Sequence, residues 1–137
     1  MKKKFLAVVL GAAMTLSMAA CGAGDSKSST ESGSKSGSDF KVGIVLDVGG
    51  VNDGSFNQTS WEGLEKAEKE LGIKASYLES DSDGDYAANI ENFIDDDCDL
   101  IICVGYMLAD ATKTAAEENP DQKFAIIDDA TIDLDNV

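Results

Sequence analysis

The sequence predicts an α/β fold, a doubly wound parallel sheet, and three observations carry the prediction. Four short apolar runs of strand length are spaced along it, an amphipathic helical pattern lies between each successive pair, and a polar or glycine-bearing loop follows each run. The runs cover residues 42–46, 75–78, 99–104 and 124–127, and apart from 75–78, which contains Ser76, they are apolar at consecutive rather than alternate positions once past Asp99. That suits strands buried on both faces. The order β-α-β-α-β-α-β with right-handed crossovers then places helices on both sides of the sheet.

Taken in order, the chain opens with Lys2, Lys3 and Lys4 ahead of an uncharged run over residues 5–20. This is short for a membrane span and is built like a secretory signal. The run ends LSMAAC, and the small residues before Cys21 resemble the lipobox of bacterial lipoproteins, in which the cysteine thiol takes a diacylglyceryl group. Met18 stands where leucine is usual, and plain cleavage after Ala19 is the alternative. Two or three acyl chains on Cys21 would anchor the protein stably, where one would not. Residues 22–39, GAGDSKSSTESGSKSGSD, contain no large apolar side chain and read as a flexible tether. Its mean reach is about 23 Å. The expected organisation is a lipoprotein signal peptide over 1–20, a tether over 21–39, and a truncated α/β lobe over 40–137.

The stretch 47–61, DVGGVNDGSFNQTSW, joins the first strand to the first helix. Gly49, Gly50 and Gly54 permit positive φ and close approach of a ligand to the backbone. Ser55 with Gln58 three residues on predicts a capping box. Trp61, Leu64, Ala67 and Leu71 recur at helical spacing up to Gly72, a terminator, and Trp61 is expected in the core. After the second strand comes a solvated loop over 79–85, and Tyr86, Ile90, Phe93 and Ile94 mark a second helix. The DSDGD in that loop lacks the glycine and glutamate that an EF-hand requires after Asp81. A third helix is expected over 108–118, stopped by Asn119-Pro120. Cys98 and Cys103 should lie on opposite faces of one strand, about 16 Å apart, as small buried hydrophobes that cannot bridge.

Acidic residues outnumber basic ones 26 to 11, and loss of Lys2, Lys3 and Lys4 with the signal leaves eight lysines and a net charge of −18. Nucleic acid would be repelled, and contact with the membrane is expected only through the lipid anchor. There is no arginine, and no lysine falls in the four loops at the carboxyl edge of the sheet: 47–56, 79–86, 105–107 and from 128 onward. A pocket for phosphate or carboxylate recruits such cations. Asp47, Asp53 and Asp128 instead suit a neutral ligand with hydroxyl or amino donors, and Phe56 and Tyr106 offer flat surfaces for a ring. Each has a plainer reading. Asp53 or Ser55 could only cap the helix, Phe56 could be a hydrophobic staple, and Tyr106 could be surface packing. Without histidine, a GxGxxG or a P-loop, no enzyme, cofactor or metal site is expected.

The block DVGGVNDGSFNQTSWEGL after the first strand, with CVGYMLADA and FAIIDD later, resembles the basic membrane protein family, the substrate-binding lipoproteins of ABC transporters. The best-understood members are purine nucleoside receptors. The resemblance implies the N-terminal lobe of a type 1 periplasmic-binding-protein-like fold, whose two lobes close on the ligand. It implies that Phe56 stacks on the base, that Asp47 and Asn57 address its polar edge, that Asp128 holds ribose hydroxyls, and that Asp53, Ser55, Gly105 and Tyr106 line the cleft. Asn52 stands where the family often has aspartate. Also implied are an ABC permease and ATPase as partners, residence on the extracytoplasmic face of the bacterial cell membrane, and weak ligand binding by one lobe alone. A sugar or other small neutral metabolite, and a surface lipoprotein without a transport role, are the alternatives.

Overall fold

Each apolar run forms a strand. In the computed structural model, which describes residues 38–137, these are β1 (Lys41–Val45), β2 (Lys74–Leu78), β3 (Leu100–Val104) and β4 (Lys123–Ile127). The expected signal peptide, Cys21 and most of the tether lie outside the described residues. All strand pairs are parallel, in the order β2-β1-β3-β4. Between them run α1 (Phe56–Leu71), α2 (Tyr86–Asp95) and α3 (Ala109–Glu118), with single 3-10 turns at Asp83–Asp85 and Tyr106–Leu108. Strands β1, β2 and β4 each start on the lysine before the apolar run, and β2, at one edge of the sheet, buries none of its side chains fully, so burial on both faces does not extend to it.

Alternation along β1 divides the core. Val42, Ile44 and Leu46 pack with Val104 and Leu64 of α1 on one face; Val45 packs with α2 and α3 residues on the other, among them Ile90, Phe93, Ala115 and Ala116. A side chain at Gly43 would overlap the Phe93 ring, so this glycine lets α2 lie close on the sheet. The sheet is therefore covered on both sides, as expected. Its outer edges are partly covered as well: the Ala75 N–H on β2 donates to Glu68 Oε1 (3.2 Å), and the Phe124 N–H on β4 donates to the Asn136 carbonyl (2.8 Å).

Several local expectations change. No capping box forms from Ser55 and Gln58; the Ser55 side chain makes no cap bond, and the Asp53 carboxylate caps α1 instead. A two-oxygen acceptor set one turn back reaches three amides where a single hydroxyl reaches one. Gly72 does end α1 in the left-handed conformation, with φ 74° and its N–H on the Glu68 carbonyl. Leu71 is 69% exposed, so the apolar stripe stops short of the last turn, and Trp61 is half-buried with its ring edge-on to Tyr77 at 4.8 Å. Cys98 and Cys103 are both buried and free, but in the same cluster rather than on opposite faces. Cys98 follows Asp97, at φ 54°, and precedes β3, so strand alternation does not reach back to it.

Candidate functional site

The loop after β1 owes its shape to carboxylates that accept its own N–H groups. Asp47 Oδ1 takes the Gly49 N–H (2.8 Å) and the Asn57 side-chain amide (2.7 Å), and Gly50 turns back to donate to the Asp47 carbonyl (3.2 Å) at φ 70°. Glu79, just past β2, accepts the Val51 N–H (2.7 Å) from across the sheet edge. Asp53 Oδ1 accepts from Ser55 (2.8 Å) and Gln58 (3.0 Å), and Oδ2 from Asn57 (3.1 Å). The Gln58 N–H foremost, with those of Ser55 and Asn57, holds the Asp53 carboxyl below its ordinary pKa against the opposing effect of burial. Capping, the plainer reading of Asp53, is thus realised.

Adjacent strands bring the next pieces together. Gly105, directly after β3, adopts φ 97° and ψ 146°, a conformation closed to most L-residues, and donates its N–H to the Ile127 carbonyl (3.0 Å) at the end of β4. A Cβ on Gly105 would lie 3.5 Å from Asp47 Oδ2, the oxygen that Asn57 does not use. Asp128 follows Ile127 in the left-handed region, φ 68°, with its side chain exposed. Non-glycine residues in that region concentrate at functional sites. Asp47, Gly105 and Asp128 therefore stand in a row at the carboxyl ends of β1, β3 and β4, where ligands of open α/β sheets bind.

Apolar surface surrounds the row. Phe56 is 54% exposed and Tyr106 66% exposed, so neither the staple reading of Phe56 nor the packing reading of Tyr106 describes these rings; Val48 and Met107 are exposed on the same loops. Ser55 and Phe56 line a shallow depression of about 370 Å³ with Thr59, Ser60 and Ile127. Asn57 differs from expectation. It is completely buried, its amide shared between Asp47 and the Gly50 carbonyl (3.2 Å), so in this conformation it supports Asp47 and presents no atom to a ligand. Residue type and spacing could not separate contact from support. Glu79 was not singled out from the sequence as a site residue, although it carried a signal: it is the first polar residue past β2, at the ligand edge.

A larger hollow of about 540 Å³ opens at the other end of the sheet, between Asp97, Asp99, Glu118 and Asp121. It lies at the amino ends of the strands, away from the glycine turns and exposed rings, so it is not the better candidate.

Residues 40–137 match the family described as ABC transporter substrate-binding protein, PnrA-like. The chain belongs to this family. Relatives include a CD4+ T-cell-stimulating antigen of Listeria innocua, 41% identical over 143 residues, covering 100% of this chain and 40% of the relative. Another is the ABC transporter nucleoside-binding protein BmpA of Lactococcus lactis, 37% identical over 142 residues with the same coverage of 100% and 40%. The chain thus spans about two fifths of the length of these curated relatives. Among solved structures, a solute-binding protein of an ABC transporter system from Aeropyrum pernix superposes with a TM-score of 0.66 at 32% identity, covering 72% of this chain and 27% of that one. A second, from Conexibacter woesei, gives 0.60 at 26% identity, covering 67% and 30%. The parallel sheet flanked by helices is accordingly the fold of part of a family solute-binding protein.

Proposed function

We propose that this lobe forms one side of the solute cleft of an extracytoplasmic ABC-importer lipoprotein, and that the solute is a purine nucleoside. The observation that carries the reading is the Asp47 carboxylate: one oxygen is committed to Gly49 and Asn57, and the other, which takes neither of these bonds, stands beside Gly105 at the carboxyl edge of the sheet. Such an oxygen accepts from a ligand N–H or O–H without moving. Exposed Phe56 supplies a ring face for stacking, and Asp128 a second acceptor for hydroxyls. The absence of lysine and arginine from these loops disfavours anionic solutes. The nucleoside-binding name of the Lactococcus lactis relative supports the same class.

In this reading the lobe performs no chemistry on its cargo. A second lobe would close over the ligand, and the closed form would deliver it to a permease driven by an ATPase. Acylated Cys21 would hold the assembly on the extracytoplasmic face of the cell membrane, with residues 22–39 as the leash.

The test is an NMR titration of the 15N-labelled chain from Cys21 onward with inosine, ribose and guanosine monophosphate. Inosine should shift amides of residues 47–57, 105–107 and 128–130, ribose should do so more weakly, and the nucleotide least. Equal or stronger shifts with the nucleotide would end the reading, as would inosine shifts confined to the hollow around Asp97 and Asp121.

A further inference from the structure

The peptide between Gly50 and Val51 is gripped at both of its polar ends. Its N–H donates to Glu79 Oε1 (2.7 Å), and its carbonyl accepts from the Asn57 side-chain amide (3.2 Å). A planar trans peptide directs these two groups to opposite sides, so the unit stands between the residue after β2 and the second residue of α1. The same Asn57 amide donates to Asp47 Oδ1 (2.7 Å). Glu79 is therefore joined to Asp47 through one peptide and one side chain.

The backbone at Glu79 is itself fixed. The Leu78 carbonyl before it takes the Leu46 N–H (2.9 Å), and the Asn89 side-chain amide of α2 donates to the Glu79 carbonyl (3.0 Å) and to Oγ of buried Ser80 (3.0 Å). Glu79 remains exposed, so burial does not drive its carboxylate onto the loop, and ordering a long side chain there costs entropy. The approach depends on Gly50 as well: a Cβ there would lie 3.0 Å from Glu79 Oε1, and Gly50 has φ 70°. Glycine freedom also means that the Gly50–Val51 peptide can turn over unless it is held. A turned peptide would withdraw the Gly50 carbonyl from Asn57 and aim an N–H at an amide that itself donates.

We propose that Glu79 is a positioning residue for solute binding: by holding the Val51 N–H it keeps the Gly50 carbonyl on Asn57, and Asn57 in turn keeps Asp47 Oδ1 in place while the other oxygen meets the ligand. The inference rests on the reading of Asp47 as a ligand acceptor. What the role requires is an acceptor at the reach of a glutamate side chain; the negative charge is not needed, because a neutral amide oxygen accepts the same N–H.

The experiment compares Glu79→Ala, Glu79→Asp, Glu79→Gln and Glu68→Ala in the chain from Cys21 onward, by the inosine titration and by the Asn57 side-chain amide resonances without ligand. Glu79→Gln keeps the acceptor and its reach, while Glu79→Asp keeps the charge and falls one methylene short. Glu68→Ala removes a similar carboxylate-to-backbone bond, that to the Ala75 N–H (3.2 Å), away from the loop. The Ala and Asp variants of Glu79 should lower inosine affinity roughly fivefold or more and move the Asn57 resonances. Glu79→Gln and Glu68→Ala should stay within about twofold of wild type with those resonances in place. Should Glu79→Ala not fold, the Asp and Gln variants carry the same contrast. Unmoved Asn57 resonances in Glu79→Asp would overturn the proposal, as would a loss of affinity in Glu79→Gln with Glu79→Asp intact, which would make the effect one of charge. An equal loss in Glu68→Ala would overturn it too, as a general effect of stability. A wild-type chain silent to inosine would remove the nucleoside reading and this inference with it, whereas binding by all the proteins alike removes only the role of Glu79.

Discussion

The Asn57 side-chain amide donates to Asp47 Oδ1 at 2.7 Å, tying the second residue of α1 to the end of β1 across ten positions of sequence. The same amide reaches the Gly50 carbonyl at 3.2 Å, so one buried side chain closes the glycine turn and orients the candidate acceptor. Asn57→Ala would leave the Gly50 carbonyl short of a donor and Asp47 Oδ1 held by the Gly49 N–H without the Asn57 amide. It should lower unfolding stability by about 1–3 kcal/mol and abolish inosine shifts at residues 47–50. A urea titration and the NMR titration check the two parts, and a variant of wild-type stability would refute the support role.

Gly105→Ala forces a Cβ into a backbone region it rarely enters and sets a methyl 3.5 Å from Asp47 Oδ2. The strain should cost about 1–3 kcal/mol, and ligand response should weaken beyond what stability explains. Gly72→Ala is the control: it also sits at positive φ, 74°, as the α1 terminator, so it should lose stability while leaving the response intact.

Asp128 and Asp97 are the two described non-glycine residues at positive φ, 68° and 54°. Glycine relieves the backbone at either place, offset by the greater freedom it gives the unfolded chain. Both Asp128→Gly and Asp97→Gly should therefore change stability by a few tenths to about 1 kcal/mol in the favourable direction. Only Asp128→Gly should lose the response to inosine, because only Asp128 lies at the carboxyl edge of the sheet. Loss in both variants, or in neither, would contradict the assignment of Asp128 to the site.

Acid should loosen α1 through Asp53. Its folded pKa is depressed below 3.8 by the amides it caps, so its stabilisation is present above that value and is lost as pH falls through the lower, folded pKa. Asp53→Asn keeps an acceptor but removes the titrating charge. Urea midpoints measured from about pH 5 to about pH 2 should fall less steeply for the variant than for the wild type. Parallel curves would show that the cap contributes nothing to acid sensitivity.

Asn136 should anchor the C-terminal segment. Its side-chain amide donates to three carbonyls, those of Ala116 (3.0 Å), Asn119 (3.1 Å) and Gln122 (3.1 Å), while its own carbonyl takes the Phe124 N–H. Asn136→Ala should cost about 1–3 kcal/mol and raise hydrogen exchange at the Phe124 amide. Exchange at Ile44, in the centre of β1, should follow only the global loss.

The sheet was legible because its cause is local in sequence. Residues 101–104 are apolar at every position, and a run buried on both faces is hard to build any other way. Gly72 was legible for a similar reason, since an L-residue resists the left-handed turn that ends α1. The capping box failed because the Ser55 hydroxyl and the Asp53 carboxylate compete for the same amides, and geometry decides between them. Cys98 and Cys103 entered one cluster because a left-handed residue between helix and strand reset the alternation on which their separation depended.

By itself, the order of residues determined a parallel α/β lobe and the four loops in which a solute would be met, because strand burial, helical periodicity and the lack of cationic side chains are all written along the chain. Tertiary structure alone decided which polar residues of those loops face outward and which carry the others. Asn57 is buried beneath the turn, while Phe56, Tyr106 and Asp128 stand exposed at its edge. The physical reason is that a side chain's exposure depends on the neighbours that cover it, and those arrive from β3, β4 and α2, tens of residues away in sequence.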